Sequence, residues 1–267
     1  MVQFYDHITE SLRGWILKQK LFWVATAPLT AEGHVNLSTK GGYGTFHIID
    51  ENTVWYEDLT GSGVETIAHI RENGRITVLF NAFEGPPRIL RLFGKGTVHE
   101  FGSPEYNALL PENARTPGSR SVIMINVYKV STSCGYAVPF FDYRAERSRH
   151  HEMSVSVEAV DIASGCPSEP AKGGLKEYWQ KQNIKSLDGL PGVLSAFQST
   201  RQFVGVETPT NRPNRPRATA ESTISSKVER FKPTSQTLLV TSLAFVAGVT
   251  LSARVYNTIE RLGLFTL

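Results

Sequence analysis

The chain reads as a mainly β protein of the α+β kind, a closed or partly closed antiparallel barrel with flanking helices. Three observations predict this. Short runs rich in β-branched and aromatic residues recur through the first half of the sequence. Two helical patterns interrupt those runs, and no strand–helix–strand alternation supports a doubly wound parallel sheet. The composition is that of an ordinary globular chain, with 40% hydrophobic and 20% charged residues over 267 positions. That excludes a wholly disordered chain, a collagen-like repeat and a polytopic membrane protein.

The elements follow in order. The start, Met1-Val2-Gln3-Phe4-Tyr5-Asp6-His7, is broken by charge before any apolar run, so no secretory signal is expected there. Phe4, Tyr5, Ile8, Leu12, Trp15 and Ile16 follow helical spacing, and Asp6 stands where an N-cap stands, so an amphipathic helix is expected there. Residues 22–27 and 35–39 then read as the arms of a hairpin around the turn Ala31-Glu32-Gly33-His34. Further strands are expected at 46–49, 54–58, 75–80, 89–99 and 121–133. The last of these alternates Val122 and Met124 against Ile123 and Ile125 and ends at Cys134-Gly135. Helices are expected at 64–72 and 104–110, and helical pattern returns at 175–179, ahead of Leu187-Asp188-Gly189-Leu190-Pro191-Gly192.

This gives one folded domain over residues 1–206. Residues 207–233 read as a flexible linker punctuated by Pro209, Pro213, Pro216 and Pro233, with Arg212, Arg215 and Arg217 solvated. A C-terminal hydrophobic helix follows at 234–256, then a short tail at 257–267. Residues 234–253 carry no charge and as a helix span roughly 30 Å, the thickness of a bilayer core. Lys232 and Arg254 flank the run, and Thr237, Thr241, Ala244, Gly248 and Ser252 form a stripe of small residues. Two readings stand open: a membrane anchor with the barrel facing the cytosol, or a helix docked on the domain or on a partner.

Charge and cysteine content narrow the function classes. Lys plus Arg is 28 and Asp plus Glu 25, a net charge of +3. That is too mild to argue for nucleic acid. Two cysteines, Cys134 and Cys166, allow no disulfide framework and no four-thiolate zinc site, and a reducing, cytoplasmic compartment is expected. His150 and His151 are adjacent and diverge on any regular element. No other histidine pair has ligand spacing, so no metal is expected. Cys134 reads as a buried structural thiol.

The most informative stretch is Asp58-Leu59-Thr60-Gly61-Ser62-Gly63-Val64-Glu65-Thr66. It leaves an expected strand and opens an expected helix. Gly61 and Gly63 let backbone approach a ligand, the first helical N–H groups lack internal partners, and the hydroxyls of Thr60, Ser62 and Thr66 can add donors. Those are the parts of a phosphate seat. The bland alternative is an unliganded turn with Ser62 as N-cap. A second piece, Val35-Asn36-Leu37-Ser38-Thr39-Lys40-Gly41-Gly42, ends a strand with a lysine beside two glycines, which can bring positive charge to an anion or simply face solvent. A third, Gly85-Pro86-Pro87-Arg88-Ile89-Leu90-Arg91-Leu92, carries two arginines three apart, so they face opposite sides of a regular strand.

These pieces, in this order, resemble the pyridoxamine-phosphate-oxidase-like, flavin-binding split-barrel family, and most closely its little-characterised bacterial and fungal branch. The matching segments are Ser38–Gly41, Gly61–Thr66, Gly85–Pro87, Arg91-Leu92, Ser133–Tyr136 and Asp188–Pro191. The resemblance implies a six-stranded antiparallel split barrel and a homodimer. It also implies FMN, or occasionally a deazaflavin or haem, at the subunit interface. Ser38, Lys40, Thr60, Gly61, Ser62, Gly63, Thr66 and Arg91 would then be cofactor-binding residues, with a small-molecule substrate. The family's vitamin-converting enzymes hold their substrate with a C-terminal segment rich in Arg, His and Trp. The corresponding stretch here is Gly135-Tyr136-Ala137-Val138-Pro139-Phe140-Phe141-Asp142-Tyr143-Arg144, which lacks that set. The expectation is a flavin-dependent oxidoreductase that does not act on pyridoxamine phosphate. The other reading is a non-catalytic flavin- or haem-binding module tethered to a membrane.

Overall fold

A computed structural model describes residues 2–42, 44–166 and 169–205. The linker and hydrophobic helix expected beyond residue 206 lie outside these residues. Among the described residues no helix is long and apolar enough to cross a membrane.

The strands are β1 (Gln3–Tyr5), β2 (Leu21–Thr26), β3 (Asn36–Gly41), β4 (Phe46–Ile48), β5 (Thr53–Leu59), β6 (Arg75–Asn81), β7 (Ile89–Glu100) and β8 (Ser119–Ser133). The helices are α1 (Glu10–Ile16), α2 (Glu65–Asn73), α3 (Pro104–Leu109), α4 (Arg149–Ser164) and α5 (Leu175–Gln182). All strand pairs are antiparallel, in the order β3-β2-β6-β7-β8-β5-β4, with β1 added on β8.

The six-stranded barrel is corrected to an eight-stranded sheet. One cause is the length of β8, 15 residues. Along one edge it pairs with β7; along the other, β5 takes residues up to Asn126 and β1 takes 130–132. The edge left free beyond β5 draws in Gln3–Tyr5, where apolar spacing alone predicts helix. The helix therefore starts only at Glu10, with Thr9 rather than Asp6 at its N-cap. The other cause is β4, a three-residue strand on β5 that closes the far end of the sheet.

The sheet curls into a half-barrel because its interior face is aromatic. Phe22 of β2 lies 5.0 Å from Phe46 of β4 and 5.3 Å from Tyr56 of β5, ring centre to ring centre, although β2 and β4 stand far apart in the sheet. Phe80 completes the cluster at 5.2 Å from Phe46. Edge-to-face contacts of this kind add about 0.5–1.5 kcal/mol each to the apolar burial. Where β8 bulges at Tyr128 opposite Phe93 and Gly94 of β7, the Cβ of any larger residue at Gly94 would come within 2.8 Å of the Asn126 carbonyl, so glycine lets the two strands stay paired there. Helix α2 packs on β2, β6 and β7. It ends at Gly74, whose φ of 71° and N–H to Ile70 O form a left-handed cap.

Helix α4 has no counterpart among the expected elements. Its weak amphipathicity hides it, because it contributes polar anchors rather than an apolar stripe. Glu158 forms a buried two-point pair with Arg115 (2.8 and 2.5 Å) and also accepts the Gly118 N–H. Asp161 accepts the Leu175 and Lys176 N–H groups at the start of α5. Trp179 of α5 then packs on Phe101 and Phe203. Cys134 is exposed, not buried, because it lies just past the end of β8.

Candidate functional site

Strand β3 alternates cleanly. Asn36, Ser38 and Lys40 are half-buried and Leu37 and Thr39 exposed. The register places Ser38 opposite Val24, Val24 opposite Val78 and Val78 opposite Leu92, all on the interior face. From β3, Lys40 Nζ donates to Asp58 Oδ1 at 3.0 Å, and Asp58 is the next-to-last residue of β5, which leads into the glycine turn. Lys40 thus meets Asp58, just ahead of the Thr60–Thr66 turn, and no residue of that turn is among its partners in the described residues.

Asp58 is fully buried and also receives Arg120 Nε at Oδ2 (2.8 Å) and the Ser121 hydroxyl (3.3 Å). Burial alone pushes this carboxyl upward, but the charges of Arg120 and Lys40 outweigh it and hold the group at about 2. Two cations against one buried anion leave the cluster with a net positive charge beside the turn. Tyr56 lies nearby in the sheet interior, fully buried, with no hydrogen-bond partner for its hydroxyl. Burial, and then the Asp58 charge, hold that phenol neutral far above its ordinary range.

The turn itself is shaped by what holds its carbonyls. The Thr60 carbonyl accepts from His150 Nε2 at 2.7 Å. The Gly61 carbonyl accepts from Asn183 Nδ2 at 3.0 Å and Arg120 Nη1 at 3.4 Å. In a trans peptide the N–H that follows points opposite to the carbonyl. Both carbonyls face the scaffold, so the N–H groups of Gly61 and Ser62 face outward. Among the described residues these two and the Gly63 N–H make no hydrogen bond. Gly61, Ser62 and Gly63 are all exposed. Immediately after them α2 begins, with Val64 at its N-cap position and no side-chain cap, so Ser62 does not fill that role. The positive end of the α2 dipole therefore opens on the same exposed stretch.

The remaining expected residues divide. Ser38 and Thr66 join the cluster. Ser38 Oγ donates to Asn36 Oδ1, and Asn36 Nδ2 donates to Thr66 Oγ1 (2.9 Å) and Thr26 Oγ1 (3.0 Å), tying β3 to the first turn of α2. Thr60 is 3% exposed, and its hydroxyl already donates to Gly118 O (2.6 Å) and accepts from Trp179 Nε1 (2.8 Å). Arg91 stands opposite Leu79, which stands opposite Trp23; that face of the sheet is opposite to the one carrying Ser38 and Lys40. Its one hydrogen bond is a 3.5 Å contact to Ser133 Oγ, so within one chain it does not join the cluster. Arg88 lies before β7 and packs over the Trp15 ring at 5.3 Å.

Sequence reasoning gave no site role to Asp58, Arg120, Asn36, His150 or Asn183. Asp58 left one signal: the carboxylates Glu57 and Asp58 follow Val54-Trp55-Tyr56 in one strand, and carboxylates buried there need partners. Asn183 and His150 left none, because their roles depend on elements 90 and 122 residues away from the turn.

The curled antiparallel sheet and its glycine turn define a half-barrel β protein with an exposed run of unpaired backbone N–H groups at the start of α2. The sequence profile of the pyridoxamine 5'-phosphate oxidase family matches residues 8–134. A curated relative from Aspergillus flavus, the pyridoxamine 5'-phosphate oxidase family protein ustO, is 37% identical over 204 residues, which cover 75% of this chain and 82% of that one. Among solved structures, HupZ of Group A Streptococcus is 25% identical over 46% of this chain and 91% of its own, with a TM-score of 0.38. A putative pyridoxamine 5'-phosphate oxidase from Listeria innocua is 14% identical over 45% of this chain and 94% of its own, with a TM-score of 0.33. The chain belongs to the pyridoxamine 5'-phosphate oxidase family, an assignment that rests on the sequence matches.

Proposed function

We propose that the protein binds FMN and works as a flavin-dependent oxidoreductase. The observation that carries this reading is the run of unclaimed N–H groups at Gly61, Ser62 and Gly63, set beside the net positive Lys40–Asp58–Arg120 cluster and the α2 N-terminus. A phosphate monoester fits this set, since it brings several acceptor oxygens and negative charge to donors that are otherwise unpaired. In this reading Lys40 supplies charge, the turn supplies backbone donors, and Ser38 and Thr66 hold the seat's shape through Asn36. Thr60 serves as a scaffold residue. Bound flavin would supply the hydride chemistry, and the protein would orient the substrate against it.

Arg91 takes part only from a second copy of the chain. The exposed edge strand β3, with Leu37 at 69% exposure and Val35 just before it at 74%, supports a homodimer, since such edges are normally covered. Pyridoxamine phosphate is not the proposed substrate. The stretch from Tyr136 to Arg144 is almost wholly exposed and offers no arginine–histidine–tryptophan set to hold it.

The test is direct. The purified full chain should be yellow or should become so on adding FMN, and FMN fluorescence should change saturably on titration. Riboflavin should bind more weakly. A chain that leaves FMN fluorescence unchanged at millimolar protein would sink the reading.

A further inference from the structure

Residues 183–193 form a hairpin that runs alongside the glycine turn. Its arms are joined by Val193 N–H to Asn183 O (2.8 Å), Gly192 N–H to Ile184 O (2.9 Å) and Ser186 N–H to Leu190 O (2.9 Å). Its base is tied to the turn by Asn183 on Gly61 O. Its tip is tied to α2 by Leu187 N–H on Glu65 Oε1 (3.2 Å), and the Glu65 carboxylate lies against Gly63. The next residue, Asp188, crosses to the turn between β2 and β3. There it takes the His34 backbone N–H on Oδ2 (2.8 Å) and the His34 ring Nδ1 on Oδ1 (2.7 Å). The two residues are 154 apart in sequence.

Two facts make this pair more than a staple. The His34 backbone N–H already holds the hairpin, so the imidazole is not needed for that. The hydrogen bonds from the His34 ring and backbone hold the Asp188 carboxyl below its usual range, so it is ionised and can only accept. Nδ1 therefore carries the proton, and in the neutral ring Nε2 is left with a free lone pair. The His34 side chain is 67% exposed and the Asp188 side chain 15%, so the oriented ring is presented outward from a shielded carboxylate. Two residues after His34, the face of Asn36, Ser38 and Lys40 begins.

We propose that His34 is an acid–base residue of this site and that Asp188 is its positioning residue. The substrate class is a small molecule bearing a hydroxyl or amine on the carbon to be oxidised. This rests on the flavin reading above. In the step, the substrate O–H or N–H bond breaks and its proton passes to His34 Nε2. Oxidised flavin, when bound, would accept the electron pair of the adjacent C–H bond as hydride. The substrate loses two electrons and two hydrogens and becomes a carbonyl or imine. Asp188 balances the imidazolium, which returns its proton to water.

The test uses the full chain, with and without saturating FMN, and diethyl pyrocarbonate as the probe. The reagent acylates an unprotonated imidazole nitrogen, and peptide mass mapping reads each of the seven histidines separately. FMN should slow modification of His34. Asp188→Asn should slow it by about tenfold, because a carboxamide turns its NH₂ to the ring and drives the proton onto Nε2. Asp188→Asn also weakens the hold on the hairpin, so nitrogen-15 spectra of the wild-type ring give a second reading. A proton on Nδ1 supports the proposal and a proton on Nε2 overturns it. If FMN binds, as its fluorescence shows, yet His34 reacts at one rate with and without it, His34 stands outside the site; the proposal fails and the flavin reading survives. If FMN does not bind at all, both fail.

Discussion

Lys40 and Asp58 join the two ends of the sheet. Lys40 lies on β3, the first strand of the sheet order, and Asp58 on β5, next to the last, and Nζ donates to Oδ1 at 3.0 Å. The lysine therefore has two tasks, closing the half-barrel and charging the seat. The two tasks separate in experiment. Lys40→Ala should weaken FMN binding by about ten- to a hundredfold, the loss of one charge-assisted contact. It should weaken riboflavin, which lacks the phosphate, far less, and the FMN effect should shrink as salt rises. Fluorescence titrations of both flavins at two ionic strengths check this. Equal losses for FMN and riboflavin would show that Lys40 acts only on the fold.

Asp58 makes stability depend on acid. Its folded carboxyl is held at about 2, against an ordinary value of 3.8. A depressed carboxylate stabilises the fold fully above its unfolded value, and that stability is lost as pH falls through the folded value. The window runs from about pH 4 down to pH 2, and the loss is about 2 kcal/mol. Urea unfolding at pH 5 and pH 2.5 should show this decline in the wild type. Asp58→Asn is less stable overall, because Arg120 and Lys40 lose their partner, but its decline over the same window should be smaller.

The buried pair Arg115–Glu158 couples α4 to the loop before β8, and both side chains are 3% exposed. Removing one partner leaves a buried, unpaired charge. Glu158→Ala should therefore cost about 3–5 kcal/mol in urea unfolding. The double change Arg115→Met with Glu158→Leu removes both charges and should recover most of that loss. A double variant as unstable as Glu158→Ala alone would show that the Glu158 contact to the Gly118 N–H, not the ion pair, is what matters.

How much of this was legible in the sequence follows from the range of the forces involved. Strands β2 and β4 to β8 were readable because each carries its own run of β-branched and aromatic residues, β3 because a turn precedes it, and α2 because a glycine turn opens it. The short β1 was not, since Gln3–Tyr5 is a strand only because β8 outruns β5. Helix α4 was hidden because its buried residues are Ser154, Glu158 and Asp161, which no apolar period marks. At the site, the turn and Lys40 were legible as residue types able to meet an anion. Their link through Asp58, the distance of Arg91 on the other face, and the closed hydrogen-bonding of Thr60 are products of register and packing. The linker and hydrophobic helix expected beyond residue 206 fall outside the described residues.

Glu65 sets the last prediction. Its carboxylate lies against Gly63, at the rim of the turn whose N–H groups face outward, and it also accepts the Leu187 N–H. An acid in the first turn of α2 is favourable to the helix dipole. For a phosphate arriving at the same turn it is a like charge. Glu65→Gln keeps an oxygen for Leu187 and removes the repulsion. It should tighten FMN binding by about three- to tenfold, or roughly 0.7–1.4 kcal/mol, with the larger gain at low salt. Riboflavin affinity should stay the same, because no phosphate is there to be repelled. Calorimetric titration of both flavins on the two proteins decides it. Tighter binding of riboflavin as well would mean that Glu65 acts through the hairpin it tethers. Weaker binding of FMN would mean that the carboxylate holds the turn open, and that its place beside Gly63 is part of the seat.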